Sequence, residues 1–313
     1  MAEPLVSIAL ALYNGENHIA EQLKSILAQT HRDLEIVVLD DASQDKGLAT
    51  VESFSKGDSR IRVHRNEKNL GLALNFLKSV SLCHGEFVCF SDQDDVWNPD
   101  KIEVLLKKIT SNERNMLVYS DLDVDGSSFW SVSKIRPRKG SLWPEAVLRN
   151  PSPGCAMLFR RPVADLLARA ALDVRFLEKG RLDDVAFMHD HLAFIFACAL
   201  GRVDYSTERL VSYRQHDSNS IGAFYKADKR RSHLVDGLRA KIRFLREYLP
   251  PKDPGLSELD AFVDSLENPE LFNAMRWKKF YLSLRRDTLQ EKALGLAEAV
   301  LPGPFQKMRE GKR

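Results

Sequence analysis

Phe87-Val88-Cys89-Phe90-Ser91-Asp92-Gln93-Asp94-Asp95-Val96-Trp97 runs from a short apolar stretch into a dense acidic one. The apolar half reads as a buried strand, which places the carboxylates at its C-terminal edge, where open parallel sheets bind ligands. Carboxylates this close repel one another, so a cation is their natural partner, and hard oxygen ligands favour Mg²⁺ or Mn²⁺. A solvated turn with an Asp capping the next helix accounts for the same residues. The segment alone leaves both readings open.

Working outward, Asp40-Asp41-Ala42-Ser43-Gln44-Asp45 closes a second β-rich run, Glu35-Ile36-Val37-Val38-Leu39. A carboxylate at that edge can accept hydrogen bonds from a base N–H or a ribose hydroxyl, and an Asx or Ser turn capping a helix fits equally. Further strands are predicted at Val6–Leu12, Ile61–His64, Phe87–Phe90 and Met116–Ser120, separated by helices over Asn17–Gln29, Gly47–Ser55, Leu72–Cys83 and Pro99–Thr110. Helix-forming and β-rich segments alternating in this way predict a parallel sheet covered by helices on both faces, an α/β fold.

A loop rich in Gly, Ser, Arg and Pro follows over 126–153, and long loops within a compact domain are usually functional. A strand at Cys155–Arg160, helices near Val163–Ala171 and Asp190–Leu200, and short strands at Val203–Tyr205 and Leu210–Tyr213 complete the pattern. Beyond Tyr225 it turns helical, with Leu234–Tyr248, Leu256–Leu266, Leu271–Leu284 and Leu289–Val300. The expected division is residues 1–225 as one domain, with a donor half over 1–97 and an acceptor half over 98–225, followed by a helical region at 226–313. That last region carries 19 Lys and Arg against 13 Asp and Glu, an excess of 6 positive charges, whereas the remainder has an excess of 4 negative ones.

The 313 residues, 44% hydrophobic and 29% charged, match an ordinary globular protein and exclude a fibrous or broadly disordered one. Cys83, Cys89, Cys155 and Cys198 show no metal-binding spacing and read as reduced core residues, which suits a reducing compartment. The N-terminus lacks the basic start and apolar stretch of a signal peptide, and the longest apolar run, Leu192 to Leu200, is far below the roughly 20 residues of a membrane span. A cytoplasmic protein is expected.

Val6 through Gly15, which includes Ala11, Tyr13 and Asn14, precedes Gln29-Thr30, Asp40-Asp41-Ala42-Ser43, Asn69-Leu70-Gly71 and Asp92-Gln93-Asp94 in this order. The set resembles the donor half of the inverting family 2 glycosyltransferases of the GT-A fold, with Asp92-Gln93-Asp94 in the place of the Asp-x-Asp signature. Pro153-Gly154-Cys155-Ala156-Met157 resembles the acceptor-side strand of that family. The order His189-Asp190, then Tyr213-Arg214-Gln215-His216, resembles bacterial rhamnosyltransferase-like members, with His191 and Leu192 where two aromatic residues usually follow His-Asp. The likeness spans roughly residues 4–222.

The resemblance implies a GT-A, Rossmann-like sheet and transfer of a sugar, rhamnose from dTDP-rhamnose being the specific form, to a saccharide or lipid-linked saccharide during bacterial surface polysaccharide synthesis. It implies Asp190 as the catalytic base, Asp94 and His216 on the metal, Asp92 nearer the ribose and Asp41 on the base of the nucleotide. Ala11, Tyr13, Asn14, Asn69, Gln93 and Arg214 fall on the donor side, and Trp97, Gly154, Cys155 and His189 on the acceptor side. One-step displacement at the anomeric carbon needs a base for the acceptor hydroxyl and a counter-charge for the departing diphosphate. Asp190 opens a helix, whose positive end is expected to hold its pKa down, and Asp183 and Asp184 are rival carboxylates. Arg214 suits either the diphosphate or a surface ion pair, and Trp97 either a pocket wall or simple packing.

Two further readings belong to other classes. A nucleotidyltransferase making nucleotide sugars would share the α/β fold and Mg²⁺, but no Gly-rich phosphate loop with a basic residue lies near the N-terminus. A non-catalytic nucleotide-sugar-binding module is disfavoured because candidates for base, metal and leaving-group contacts are all present. The basic C-terminal region, with Arg276, Trp277, Lys278, Lys279, Phe280 and Tyr281, suits either an anionic membrane surface or packing with solvated charge outside. Nucleic acid is not an expected partner of a chain whose main domain is acidic.

Overall fold

A computed structural model describes residues 3–173, 187–214 and 231–267. They fall into two compact units, one drawn from 3–142, 150–173 and 187–214, the other from 143–149 and 231–267. The first unit is built on a nine-stranded sheet of β1 (Val6–Leu12), β2 (Leu34–Asp40), β3 (Ile61–Arg65), β4 (Phe87–Ser91), β5 (Val96–Trp97), β6 (Asn115–Val124), β7 (Ser127–Ser128), β8 (Met157–Arg160) and β9 (Arg202–Ser212). Their order is β3-β2-β1-β4-β8-β6-β9-β5, with β7 paired to β6.

Every residue of β1, β2 and β4 is buried, as expected for strands covered on both faces. Strands β1 to β4 pair in parallel, as do β6 and β9, while β8 runs antiparallel to both β4 and β6, and β5 antiparallel to β9. The sheet is therefore mostly parallel rather than wholly so. Strand β8 follows a 3-10 turn at Gly154–Ala156 and is joined to β4 by tertiary pairing across the intervening loop.

The helices are α1 (Ile19–Leu27), α2 (Gly47–Gly57), α3 (Leu72–Ser81), α4 (Lys101–Thr110), α5 (Phe129–Val132), α6 (Arg161–Ala171) and α7 (His189–Leu200). Helices α3, α6 and α7 pack on one another; α1 packs on α2 and reaches the start of α4 through Gln29. Helices α1 and α4 present apolar stripes at helical spacing, Ile19, Leu23 and Ile26 in α1 and Ile102, Leu105, Leu106 and Ile109 in α4, whereas α7 is buried nearly all round. The segments predicted separately at Val203–Tyr205 and Leu210–Tyr213 are one strand, β9, whose register against β6 shifts at bulges. The loop over 126–153 contains β7, α5 and a 3-10 turn at Glu145–Val147.

In the second unit, α8 (Arg231–Leu245) and α9 (Pro254–Glu267) pack together and bury Leu238, Ile242, Leu256 and Leu259. Asp253 starts α9 by accepting from the Gly255 and Leu256 amides at 2.8 and 3.0 Å, and it also accepts from the Trp143 indole at 2.8 Å. Arg239 pairs with Asp264, and Arg246 with Asp260, between the two helices. The helices predicted at Leu271–Leu284 and Leu289–Val300 lie outside the described residues. All four cysteines are buried and none forms a disulfide. No helix among the described residues is long and apolar enough to cross a membrane.

At the N-terminal end of the sheet, Glu35 joins three segments distant in sequence. Its carboxylate accepts from the Ser7 hydroxyl of β1, from the backbone amides of His84 and Gly85, and from Arg62 of β3 at 3.1 Å. Burial alone would raise its pKa, but the Ser7 and His84 hydrogen bonds outweigh it and bring the group to about 2, against an ordinary 4.5. A depressed carboxyl stabilises the fold fully above its unfolded pKa, and that contribution is lost as pH falls from about 4.5 towards 2. Glu35→Gln is expected to lower stability at pH 7 by about 1–2 kcal/mol, the full shift being discounted for solvent screening. In urea unfolding curves, the gap between variant and wild type should close as the pH is lowered through that window.

Candidate active site

Parallel pairing aligns the C-terminal ends of β1, β2 and β4, with Leu12 opposite Asp40 and Leu10 opposite Ser91. The segments leaving those ends, Tyr13-Asn14, Asp41 to Asp45 and Asp92 to Asp95, are thereby brought to one edge. They are cross-linked there. Gln93 accepts from the Tyr13 amide at 2.8 Å and donates to the Tyr13 carbonyl at 3.1 Å, which fixes the acidic loop to the end of β1. Asn14, at φ 50°, donates its amide to the Ser43 hydroxyl at 3.0 Å and accepts from the Gln44 amide at 2.8 Å. Ala11 is buried within β1, while the Tyr13 side chain is about half exposed above the edge.

Asp41 is almost fully buried, and its carboxylate organises the loop before α3. It accepts from the Asn66 side chain at 2.8 Å, the Leu70 amide at 2.8 Å and the Gly71 amide at 2.9 Å. Gly71 has φ 84°, a conformation open to glycine and strained for other residues. Asn69 reaches back to the Asp41 carbonyl at 3.4 Å, and Asn75 of α3 donates to the Leu39 carbonyl at 3.0 Å. The Asp40-Asp41 and Asn69-x-Gly71 motifs are thus two halves of one hydrogen-bonded corner.

The acidic loop is held from the other side by α1. Gln22 donates to the Ser91 hydroxyl at 2.7 Å, and the Trp97 amide donates to the Ser25 hydroxyl at 3.1 Å. Gln29 donates to the Asn98 carbonyl at 2.7 Å and accepts from the Ile102 amide at 3.1 Å, so the Gln29-Thr30 motif anchors the start of α4.

Within this frame the carboxylates crowd together. Asp92 is pushed well above the usual carboxylate range by burial and then by Asp95, Asp94 and Asp190. Asp95 is raised to about 7 by burial and Asp94, against lowering contributions from Cys155, Lys101 and the Arg214 backbone. Neither Asp95 oxygen accepts a hydrogen bond of ordinary geometry among the described residues. Ligand atoms of Asp92, Asp95 and Cys155 lie within 4.8 Å of one another, so the carboxylate oxygens suit a hard divalent cation, with a buried thiol beside them. Asp94 is half-buried in the same loop, and His216 lies outside the described residues, as do Asp183 and Asp184.

The Pro153-Gly154-Cys155-Ala156-Met157 segment meets this loop through the turn at Gly154–Ala156. A Cβ on Gly154 would stand 2.9 Å from His189 Nε2 and 3.3 Å from Asp190 Cβ, so only glycine lets the start of α7 come this close. His189 is buried, stacked on Phe76 at 3.9 Å and set edge-on to Phe90 at 4.8 Å. Burial drives its pKa down to about 3, so the ring is neutral. Asp190 accepts the His191 amide at 2.7 Å, but burial outweighs that bond and raises its carboxyl to about 6. The low pKa expected from the helix end is overridden by desolvation.

Arg214 carries its guanidinium to α1, where it pairs with Glu21 and lies 3.1 Å from His18 Nδ1. Trp97 is buried, with its ring under the ammonium of Lys101 at 3.1 Å from the centroid. Asp95, grouped with Asp92 and Cys155, and Lys101 are absent from the expected set; Asp95 stood within the quoted acidic segment, and Lys101 is the second. It is fully buried and donates to the Cys155 carbonyl at 2.6 Å. Its signal was the i, i+4 spacing of Lys101, Leu105 and Ile109, which sets a lysine on the apolar stripe of α4.

Three comparisons bear on this arrangement. Residues 7–167 match the family model described as glycosyl transferase family 2. The chain is 29% identical over 234 residues to the dTDP-rhamnosyl transferase RfbG of Shigella flexneri, covering 72% of this chain and 78% of that one. Among solved structures, S. aureus TarS in complex with UDP superposes with a TM-score of 0.55 at 17% identity, over 96% of this chain and 82% of that one. The mannosyltransferase PcManGT of Pyrobaculum calidifontis, solved with GDP-Man and Mn²⁺, gives 0.51 at 19% identity, over 98% and 83%.

Asp41→Ala would strand the Leu70 and Gly71 amides together with the Asn66 side chain. A loss of about 2–4 kcal/mol in denaturant unfolding is expected, because buried donors left without partners cost more than the bonds contribute net. Amide exchange should rise at Leu70 and Gly71 while that of β4 is unchanged.

Proposed function

This chain belongs to glycosyl transferase family 2 and has the GT-A fold, and on that premise we propose that it is an inverting, metal-dependent transferase acting on a nucleotide-diphosphate sugar. The observation that carries the proposal is the meeting of Asp190 with the Asp92 to Asp95 loop at the C-terminal edge of the sheet. Asp190 is the base: a carboxylate oxygen takes the proton of an acceptor hydroxyl. The hydroxyl oxygen bonds to the anomeric carbon as the bond from that carbon to the diphosphate oxygen breaks. A pKa of about 6 makes Asp190 a stronger base than an exposed aspartate while leaving it mostly ionised at pH 7.

Asp92, Asp94 and Asp95 would supply oxygens to Mg²⁺ or Mn²⁺, with His216 as a further ligand. Bound there, such a cation would supply counter-charge for the departing nucleoside diphosphate. The corner formed by Ala11, Tyr13, Asn14, Asp41 and Asn69 takes the nucleoside, with Tyr13 exposed for stacking on the base. With both of its oxygens engaged by the loop, Asp41 acts on the nucleoside chiefly by shaping that corner. Gln93 sets the height of the acidic loop, and Arg214 steadies α1 beside it. Gly154, Cys155 and His189 shape the acceptor side, with Trp97 as its buried floor.

Likeness to RfbG supports dTDP-rhamnose as the donor, and likeness to the putative teichuronic acid biosynthesis glycosyltransferase TuaG of Bacillus subtilis supports a saccharide or lipid-linked saccharide of the bacterial surface as the acceptor. The positive excess of residues 226–313 supports peripheral attachment to the anionic inner face of the cell membrane from the cytoplasm.

Incubation with a panel of nucleotide sugars and Mn²⁺ tests the reaction class. Release of free nucleoside diphosphate, rather than pyrophosphate, is the expected product. Asp190→Asn should lower turnover by at least about 10²-fold with donor affinity unchanged. Since the carboxylate is the active form, kcat should be level above about pH 6 and fall about tenfold per unit below it. A rate independent of pH in that range would remove Asp190 from the role.

A further inference from the structure

Lys101 occupies a position where an apolar residue would ordinarily sit. It lies on the buried stripe of α4 with Leu105 and Ile109, and its side chain is fully enclosed. Burying an ammonium is costly unless it is paired and hydrogen-bonded. Here it is met by the Cys155 carbonyl at 2.6 Å, by the face of Trp97 at 3.1 Å, and by the electrostatic attraction of Asp95 and Asp92. The contacts reach both parts of the site, since Trp97 ends the acidic loop and Cys155 lies in the turn on which Asp190 rests.

We propose that Lys101 is the fixed counter-cation of the acidic loop: its charge holds Asp92 and Asp95 together when no divalent cation is bound, and its hydrogen bond to Cys155 ties that loop to the turn beside Asp190. It is a positioning residue and touches neither sugar nor reacting oxygen. The proposal rests on the reading of Asp92 to Asp95 as a cation site. It explains why the two Asp95 oxygens can lie buried without a hydrogen bond of ordinary geometry among the described residues, with only the weaker contacts of Cys155 and the Arg214 backbone. Burial brings the Lys101 pKa down to about 8, which leaves the ammonium mostly charged at pH 7, and that charge reduces the repulsion that would otherwise open the loop each time the cation leaves. It also predicts an antagonism, because a fixed cation and a bound cation repel each other across the carboxylates they share.

The experiment compares thermal unfolding of the full chain as wild type, Lys101→Met and Lys101→Gln, titrated with Mn²⁺ alone. Lys101→Met removes charge and hydrogen bond, whereas Lys101→Gln removes the charge and keeps a donor. Both variants should melt below wild type without metal, and Mn²⁺ should raise their midpoints by about 4 °C more than that of wild type. The Mn²⁺ concentration giving half the shift should fall about tenfold in both.

Equal Mn²⁺ shifts in all three proteins would overturn the role of Lys101 while leaving the cation site intact. A glutamine variant that behaves as wild type would overturn it as well, by showing that the tether suffices without charge. No Mn²⁺ shift in any of the three would remove the cation site itself, and the counter-cation with it. Should the variants fail to fold without metal, recovery of folded protein on refolding with Mn²⁺ supports the proposal, and failure with and without Mn²⁺ overturns it.

Discussion

Coulomb repulsion among carboxylates is screened far less inside a protein than in water, and this chain gathers Asp92, Asp94, Asp95 and Asp190 at one end of a buried sheet. Each neighbour makes ionisation of the next more costly, which is why burial and mutual repulsion together push Asp92 and Asp95 upward. Much of the surrounding structure serves to hold the group together against that force. The loop carrying the carboxylates is fastened by neutral groups, Gln93 to Tyr13, Gln22 to Ser91 and Ser25 to Trp97, none of which alters the net charge. One buried lysine lies beneath it.

The same residue type is treated in the opposite way elsewhere in the sheet. Glu35 and Asp41 are buried too, but each carboxylate is ringed by donors, and each connects segments far apart in sequence. For Glu35 the hydrogen bonds to the ionised form outweigh the cost of burial and bring its pKa down to about 2, and at both positions the carboxylate serves the fold by tying those segments together. Asp190, with only its own helix start as donor, keeps a raised pKa. The supply of local donors separates the carboxylates that tie segments together from the one assigned above as the proposed base.

Close packing couples the two sides of the site. Gly154 has no room for a methyl group because His189 and Asp190 press against it, and His189 is itself clamped between Phe76 and Phe90. A neutral imidazole in that slot acts as a flat spacer, so the start of α7 is set by aromatic stacking as much as by hydrogen bonding. Strand β8 completes the coupling by pairing with β4, the strand that ends in the acidic loop.

By itself the sequence determined the strands of the parallel core, the helices between them and the presence of carboxylates at strand ends. Those features depend on neighbours in the chain: the unbroken apolar runs of β1, β2 and β4, and helical stripes such as Ile19, Leu23 and Ile26. The short β5, the single course of β9 and the reversed direction of β8 were not legible, because two-residue strands and bulged registers carry no periodic signal. Only the tertiary structure decided which acids are tied and which face one another. Asp41 is engaged by Gly71, and Lys101 by Cys155, through contacts between residues 30 and 54 positions apart. Burial, the quantity that raises Asp190 and neutralises His189, is likewise a property of the packed molecule, since it arises from what surrounds a side chain in space and not from what precedes it in the chain.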